Sequence, residues 1–140
     1  MIVVIYKLMA IELLIFKFFK MLCFRVFDSS CRLKVAVHDF LFSYTVLPKT
    51  SVFKKSADDM RSKIAEIKVS SWVKYTGVEV FSGELDLTGI DQNKRIQAMD
   101  IIKNTINEIL IKNQCVSKVM VNVILMVDQL GKPMHFTIWN

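Results

Sequence analysis

The sequence predicts an α+β domain of the split β-α-β type, a sheet carrying two helices on one face. Three observations predict it. Read along the chain, the order is strand, helix, strand, basic loop, strand, helix, strand, with an extra hairpin strand at the end. The length of 140 residues suits one domain with its own core. No internal repeat, low-complexity tract or linker interrupts it, so residues 1–140 read as a single domain with an extended loop at about 45–63.

Residues 2–8, "IVVIYKL", are mostly β-branched and aromatic, the composition of a strand buried on both faces. A helix is expected from Ala10 to Phe27. On a wheel of about 100° per residue, Glu12, Lys17, Lys20 and Arg25 fan over one side, leaving Ile11, Ile15, Phe18, Phe19 and Leu22 as the core stripe. Leu13, Leu14 and Phe16 then fall among the charges, which points to contact with another protein or RNA. The turn residues of "FDSSC" end this helix.

From Arg32 to Leu47 the sequence alternates as a long strand. Leu33, Val35 and Val37 share one parity and Phe40, Phe42, Tyr44 and Val46 the other, so a bulge is expected near His38. Pro48 lacks the N–H a ladder needs and stops the strand. "KTSVFKK" reads as loop. Ser56 with Asp59 resembles a capping box, so "ADDMRSKIAEI" could start helical, while "IAEIKV" would also continue as a strand.

"WVKYTGVEV" has strand composition, and "SGE" turns it toward a short "LDL". Asp91 can cap a helix from Gln92 to Asn113, in which Ile96, Met99, Ile102, Ile106, Ile109 and Leu110 fall at helical spacing. "SKVMVNVILMV" is a strand, "DQLGK" a turn with Gly131, and "PMHFTI" a closing edge strand whose leading proline suits an edge.

The formal net charge is +6. Residues 1–69 carry twelve Lys/Arg against six Asp/Glu, and residues 70–140 seven against seven, so the whole excess sits in the first half. A basic region of that kind suits a polyanionic partner; the bland alternative is ordinary solvated lysines. Cys23, Cys31 and Cys115 are odd in number and form no C-x-x-C pair, which argues against a disulfide scaffold or zinc site and for a reducing compartment. The apolar N-terminus is broken by Lys7, Glu12, Lys17, Lys20 and Arg25, so a buried element is expected rather than a membrane span, and it has neither the n-region nor the cleavage site of a signal peptide.

Phosphate-loop and nucleophile-elbow motifs are absent, and no enzyme, cofactor, metal or small-molecule substrate is expected. His38 and Asp39 could be a fragment of a metal-dependent hydrolase motif, but neighbours on a regular strand point to opposite faces. Glu84 and Asp86 share a face and could form an acid/base pair, although solvated edge residues are the commoner reading. The basic segment needs no fixed geometry. Lys49, Lys54, Lys55, Arg61 and Lys63 can neutralise phosphates, Thr50, Ser51 and Ser56 can hydrogen-bond phosphate or ribose oxygens, and Phe53 can pack or stack.

The stretch "TVLPKTSVFKKSADDMRSK" resembles ribosomal protein S-ten of the small subunit, in bacterial and organellar forms. That family has a strand ending in "F-T-V-L", four further residues, then "V-x-K-x-[SA]-R", and a strand "I-R-T-H". Thr45, Val46 and Leu47 match the first part and Val52, Lys54 and Ser56 the second, with Arg61 in the place of the later arginine after a deletion of about two residues. The resemblance implies a split β-α-β fold with a long loop between its middle strands, and a structural role in which that loop binds ribosomal RNA and neighbouring proteins of the small-subunit head. The sequence departs from the family in several places. The proline-rich segment before the loop is replaced by "VAVHDFLF", "S-P-H" by "KTS", the arginine after [SA] by Ala57 and the threonine-histidine pair by "SK", while the segment from Trp72 to Gln92 looks inserted. High Phe, Ile and Lys content with few glycines and prolines suits an organellar, mitochondrial form.

Two alternatives accompany this reading. One is a membrane-associated binding or immunity-type protein anchored by residues 1–27. The other rests on "VDQLGKPMHFTI", which is similar to a hairpin of RNase H-like insertion-sequence transposases and implies an inactive fragment.

Overall fold

The fold is organised by one long central strand. The computed structural model describes residues 34–139. Their order is β1 (Ala36–Pro48), a 3-10 turn (Ser51–Phe53), α1 (Lys54–Ala65), β2 (Trp72–Lys74), β3 (Val80–Leu87), α2 (Asp91–Lys112), β4 (Val119–Val127) and β5 (Met134–Ile138). The strands form one five-stranded antiparallel sheet in the order β2-β3-β1-β4-β5. β3 lies between β1 and β2, and β1 lies between β3 and β4, so two β-α-β units interlock in the ferredoxin-like manner and β5 extends the sheet as a hairpin. The α+β class is thus as the sequence predicts, but its parts are differently assigned. Both split units are complete within residues 36–127. The expected strand at 2–8 and helix at 10–27 lie outside the described residues.

β1 alternates strictly. His38, Phe40, Phe42, Tyr44 and Val46 are buried, and the residues between them point the other way. Its register is unbroken against β3 from Ala36↔Leu87 to Ser43↔Val80 and against β4 from Phe40↔Val127 to Pro48↔Val119. The expected bulge near His38 is therefore absent. Val35 and Val37 stay in solvent, and the histidine takes the inward parity. The buried side forms an aromatic cluster: the Phe42 and Phe81 rings stack at 5.1 Å, and Trp72 stands edge-on to Phe40 at 5.2 Å.

Both helices cover this face. α1 contributes Ala57, Met60 and Ile64, and α2 contributes Ala98, Ile102, Ile106 and Leu110. α2 matches expectation closely, except that Ile96 is exposed and Ala98 takes the place facing the core. Asp91 is its first residue and Ile90 the N-cap, with no side-chain cap. Gln97 instead ties the approach to the helix, accepting from the Thr88 backbone N–H at 3.1 Å and donating to the Thr88 carbonyl at 2.8 Å.

Three other expectations change. The extended loop at 45–63 is instead the end of β1, one 3-10 turn and the twelve-residue α1. The "SGE" turn is mid-strand, and the hairpin turns at Gly77, whose φ of +79° suits glycine. The segment that looks inserted, Trp72 to Gln92, supplies β2 and β3, two strands of the five. Gly83 has its own role there: a Cβ would lie 2.2 Å from the Ser71 carbonyl oxygen, so only glycine lets β2 approach.

Phe42→Ala should cost about 3–5 kcal/mol in denaturant titration, since the ring is fully buried at the sheet centre. Gly83→Ala should release β2 locally, read as faster amide exchange at Trp72–Lys74 with α2 still protected.

Candidate nucleic-acid interface

The basic segment folds as a strand-to-helix corner. Pro48 ends β1, and the chain reverses through the 3-10 turn, where Phe53 N–H donates to the Thr50 carbonyl at 3.0 Å. α1 then begins at Lys54, with Phe53 as N-cap and no side-chain cap. Ser56 lies inside the helix, so the expected capping box with Asp59 does not form. Phe53 is half-buried, and Val52 is the exposed apolar residue of the turn at 83%.

This corner gathers Lys49, Thr50, Ser51, Lys54, Lys55 and Ser56, and it adds residues that the sequence reading missed. Lys49 N–H donates to the Lys118 carbonyl at 2.9 Å, and Lys49 Nζ donates to the Val116 carbonyl at 3.3 Å. The turn before β4 is thereby tied to the turn after β1, bringing Lys118 and the Ser117 hydroxyl to the same end. The signal is in the register: Pro48 opposite Val119 places these turns side by side. Nothing local in "QCVSK" reveals it.

Arg61 and Lys63 are engaged elsewhere. Arg61 Nε meets Glu79 Oε1 at 2.7 Å, Nη1 meets Asp58 Oδ1 at 2.7 Å, and Nη2 donates to the Val46 carbonyl at 3.2 Å. It staples α1 to β1 and to the β2–β3 hairpin, with its donors directed at the fold rather than at a ligand. Lys63 pairs with Glu66 at 3.1 Å. By contrast, Lys54, Lys55 and Lys118 make no side-chain ion pair among the described residues.

The electrostatics of α1 are unusual at its start. The first turn holds Lys54 and Lys55 and no acid. Cations there oppose the helix dipole, whose N-terminal N–H groups favour an anion.

Tyr44, beside this corner, has its hydroxyl pushed up to about 12 by burial, with the nearby Glu79 carboxylate adding to the rise and Arg61 opposing it. The catalytic readings fare differently. His38 is buried on the helix side while Asp39 lies exposed on the opposite side, so the pair shares no site. Glu84 and Asp86 do share a face, both solvated. No group of three or more His, Cys, Asp or Glu side chains is placed to hold a metal among the described residues. A cleft of about 450 Å³ beside the C-terminal end of α1 mixes Lys63, Lys68 and Lys112 with Glu66 and Glu108. Among the described residues, no helix is long and apolar enough to cross a membrane; the proposed anchor at 1–27 lies outside them.

No protein-family model matches the sequence, and no curated protein or solved structure is significantly similar to it.

Two outcomes follow from these placements. Arg61→Ala should lower stability by about 1 kcal/mol, both of its ion pairs being half-exposed, and leave polyanion binding intact. The Tyr44 shift also fixes a sign. A phenol held at about 12 when folded and near 10 when unfolded binds its proton more tightly in the native state, so its stabilisation is whole below pH 10 and lost between pH 10 and 12. Denaturation midpoints of the wild type should fall more steeply over that range than those of Tyr44→Phe.

Proposed function

We propose that the chain is a structural RNA-binding protein that grips phosphates with the corner between β1 and α1, and that its RNA belongs to the small ribosomal subunit. The carrying observation is the pair Lys54 and Lys55 in an acid-free first turn of α1, with Lys118 brought beside Lys49 at the same end of the sheet. Two cations in a first turn oppose the helix dipole, and a phosphate there is attracted by the ammonium groups and favoured by that dipole. Thr50, Ser51 and Ser117 add hydroxyl donors, and Lys49 holds the two turns together through the Val116 carbonyl. RNA is favoured over a small phosphate ligand because the cations are spread over two turns on an open surface. The choice of ribosomal RNA, of neighbouring head proteins as further partners and of a mitochondrial ribosome rests on the resemblance of "TVLPKTSVFKKSADD" to the S-ten family.

Affinity for a structured RNA should fall steeply with salt. The triple change of Lys54, Lys55 and Lys118 to Ala should lower the log–log slope by about 2–3. A flat salt dependence would sink the phosphate reading. Lys54→Glu separates function from folding: it should raise stability by about 0.3–1 kcal/mol while abolishing RNA binding. Co-sedimentation with small ribosomal subunits tests the assignment of the RNA, and recovery only with membranes would overturn it.

A further inference from the structure

The face of the sheet opposite the helices is composed unlike the basic corner. Register places its residues in rows across the strands. One row is Val73, Ser82, Leu41 and Met126, on β2, β3, β1 and β4 in turn. Its three apolar members are 61%, 40% and 51% exposed. At the usual strand spacing this band is about 14 Å long. The next row toward the start of β1 is Glu84, Asp39 and Asp128: Asp39 stands opposite Glu84, and Asp128 N–H donates to the Asp39 carbonyl at 2.8 Å. Asp86 lies one further row along, opposite Val37.

None of these four carboxylates has an ion-pair partner among the described residues. Asp128 accepts a hydrogen bond from the Gln129 amide at 3.2 Å. Like charges directly opposite on neighbouring strands destabilise a sheet. Among the described residues the fold therefore carries an acidic row without compensating cations beside an apolar band, the two separated by about 7 Å, the repeat of two residues along a strand.

We propose that this face docks an amphipathic helix of a partner protein, lying across the strands with an apolar ridge on Val73, Leu41 and Met126 and with Lys or Arg side chains on its flank over Glu84, Asp39 and Asp128. The band is as long as nine or so helical residues, roughly three turns. The distance between rows is within reach of a lysine or arginine stem that leaves the ridge and turns toward the acids. Nucleic acid is the wrong partner here. The strand aromatics Phe40, Phe42 and Tyr44 point to the other side of the sheet, and the acidic row repels phosphate. This inference does not depend on the RNA reading, because the two surfaces share no residue.

The test uses the full chain and two synthetic fourteen-residue helical peptides with the same leucine ridge, one flanked by lysines and one by glutamates. Titration is followed by amide shifts and fluorescence anisotropy. The lysine peptide should bind saturably, with shifts at Val73, Leu41 and Met126, and at least about tenfold more tightly than the glutamate peptide. Asp39→Lys with Glu84→Lys should reverse that preference, and Leu41→Ser should weaken both peptides. The triple Lys-to-Ala change of Lys54, Lys55 and Lys118 should leave peptide binding unchanged. Unaltered thermal unfolding establishes that the variants fold. Equal binding of both peptides, no binding, shifts confined to the helix side, protection of the face before any peptide is added, self-association through this face, or RNA competing for it would each overturn the proposal.

Discussion

The sheet and both of its faces depend on the parity of β1. It is the only strand hydrogen-bonded along its length to two long neighbours among the described residues, and it gives each face of the sheet its character. Phe40, Phe42, Tyr44 and Val46 go inward, and Asp39, Leu41, Ser43, Thr45 and Leu47 go outward. A slip of one residue would put three aromatic rings in water and an aspartate into the core, so the register is fixed by burial rather than by hydrogen bonds, which a slip would largely restore. His38 enters the core as a consequence. It lies on the inward parity at the end of the aromatic column, where Nδ1 sits 3.1 Å from the Asp128 carbonyl and Nε2 is buried with no hydrogen-bond partner among the described residues. The fold accepts that unsatisfied nitrogen because the alternative sacrifices far more apolar burial.

The same strand separates two regions of unfavourable charge. Beyond its C-terminal end lie Lys54 and Lys55 against a helix dipole. Near its start, on the open face, Asp39 confronts Glu84. Neither arrangement helps the chain fold. Elsewhere its charges are placed conventionally: Lys63 and Lys112 lie in the last turns of their helices and Asp91 in a first turn. Arg95 spends its guanidinium on the Leu130 and Lys132 carbonyls, and so holds the β4–β5 turn. Unfavourable charge is thus concentrated at two surfaces, the pattern expected where a partner rather than folding sets the residue.

Legibility in the sequence follows the strength of each periodic signal. α2 has apolar residues at six positions of helical spacing, four of them isoleucines, and is readable almost to the residue, as are β4 and β5 with their alternation and the turn at Gly131. β1 was readable as a strand, but apolar residues on both parities between Leu33 and Val46 made a bulge as economical as the true solution, valines in solvent. α1 buries only Ala57, Met60 and Ile64 among twelve residues, so its helical spacing was submerged in lysines, serines and aspartates that equally describe a loop. Of the site, the local cations were legible and their geometry was not. Arg61 is diverted by Glu79, eighteen positions away, and Lys118 is recruited by strand pairing over seventy. Long-range pairing leaves no mark at either residue.

The physical separation of the two charged regions bears on what such a domain can do. Asp39 and Pro48, the last residue of β1 before the basic corner, are nine positions apart, about 30 Å along the strand axis. That exceeds the Debye length at physiological salt of about 8 Å by a wide margin. A phosphate at the corner and a cationic helix on the open face therefore neither attract nor displace one another, and both can be held at once. Rigidity along that axis comes from β1 itself, paired on both sides and backed by the aromatic column. In the proposed roles, a small domain built this way would transmit position, with RNA at one end and a protein near the other. That is the behaviour the proposed ribonucleoprotein role requires.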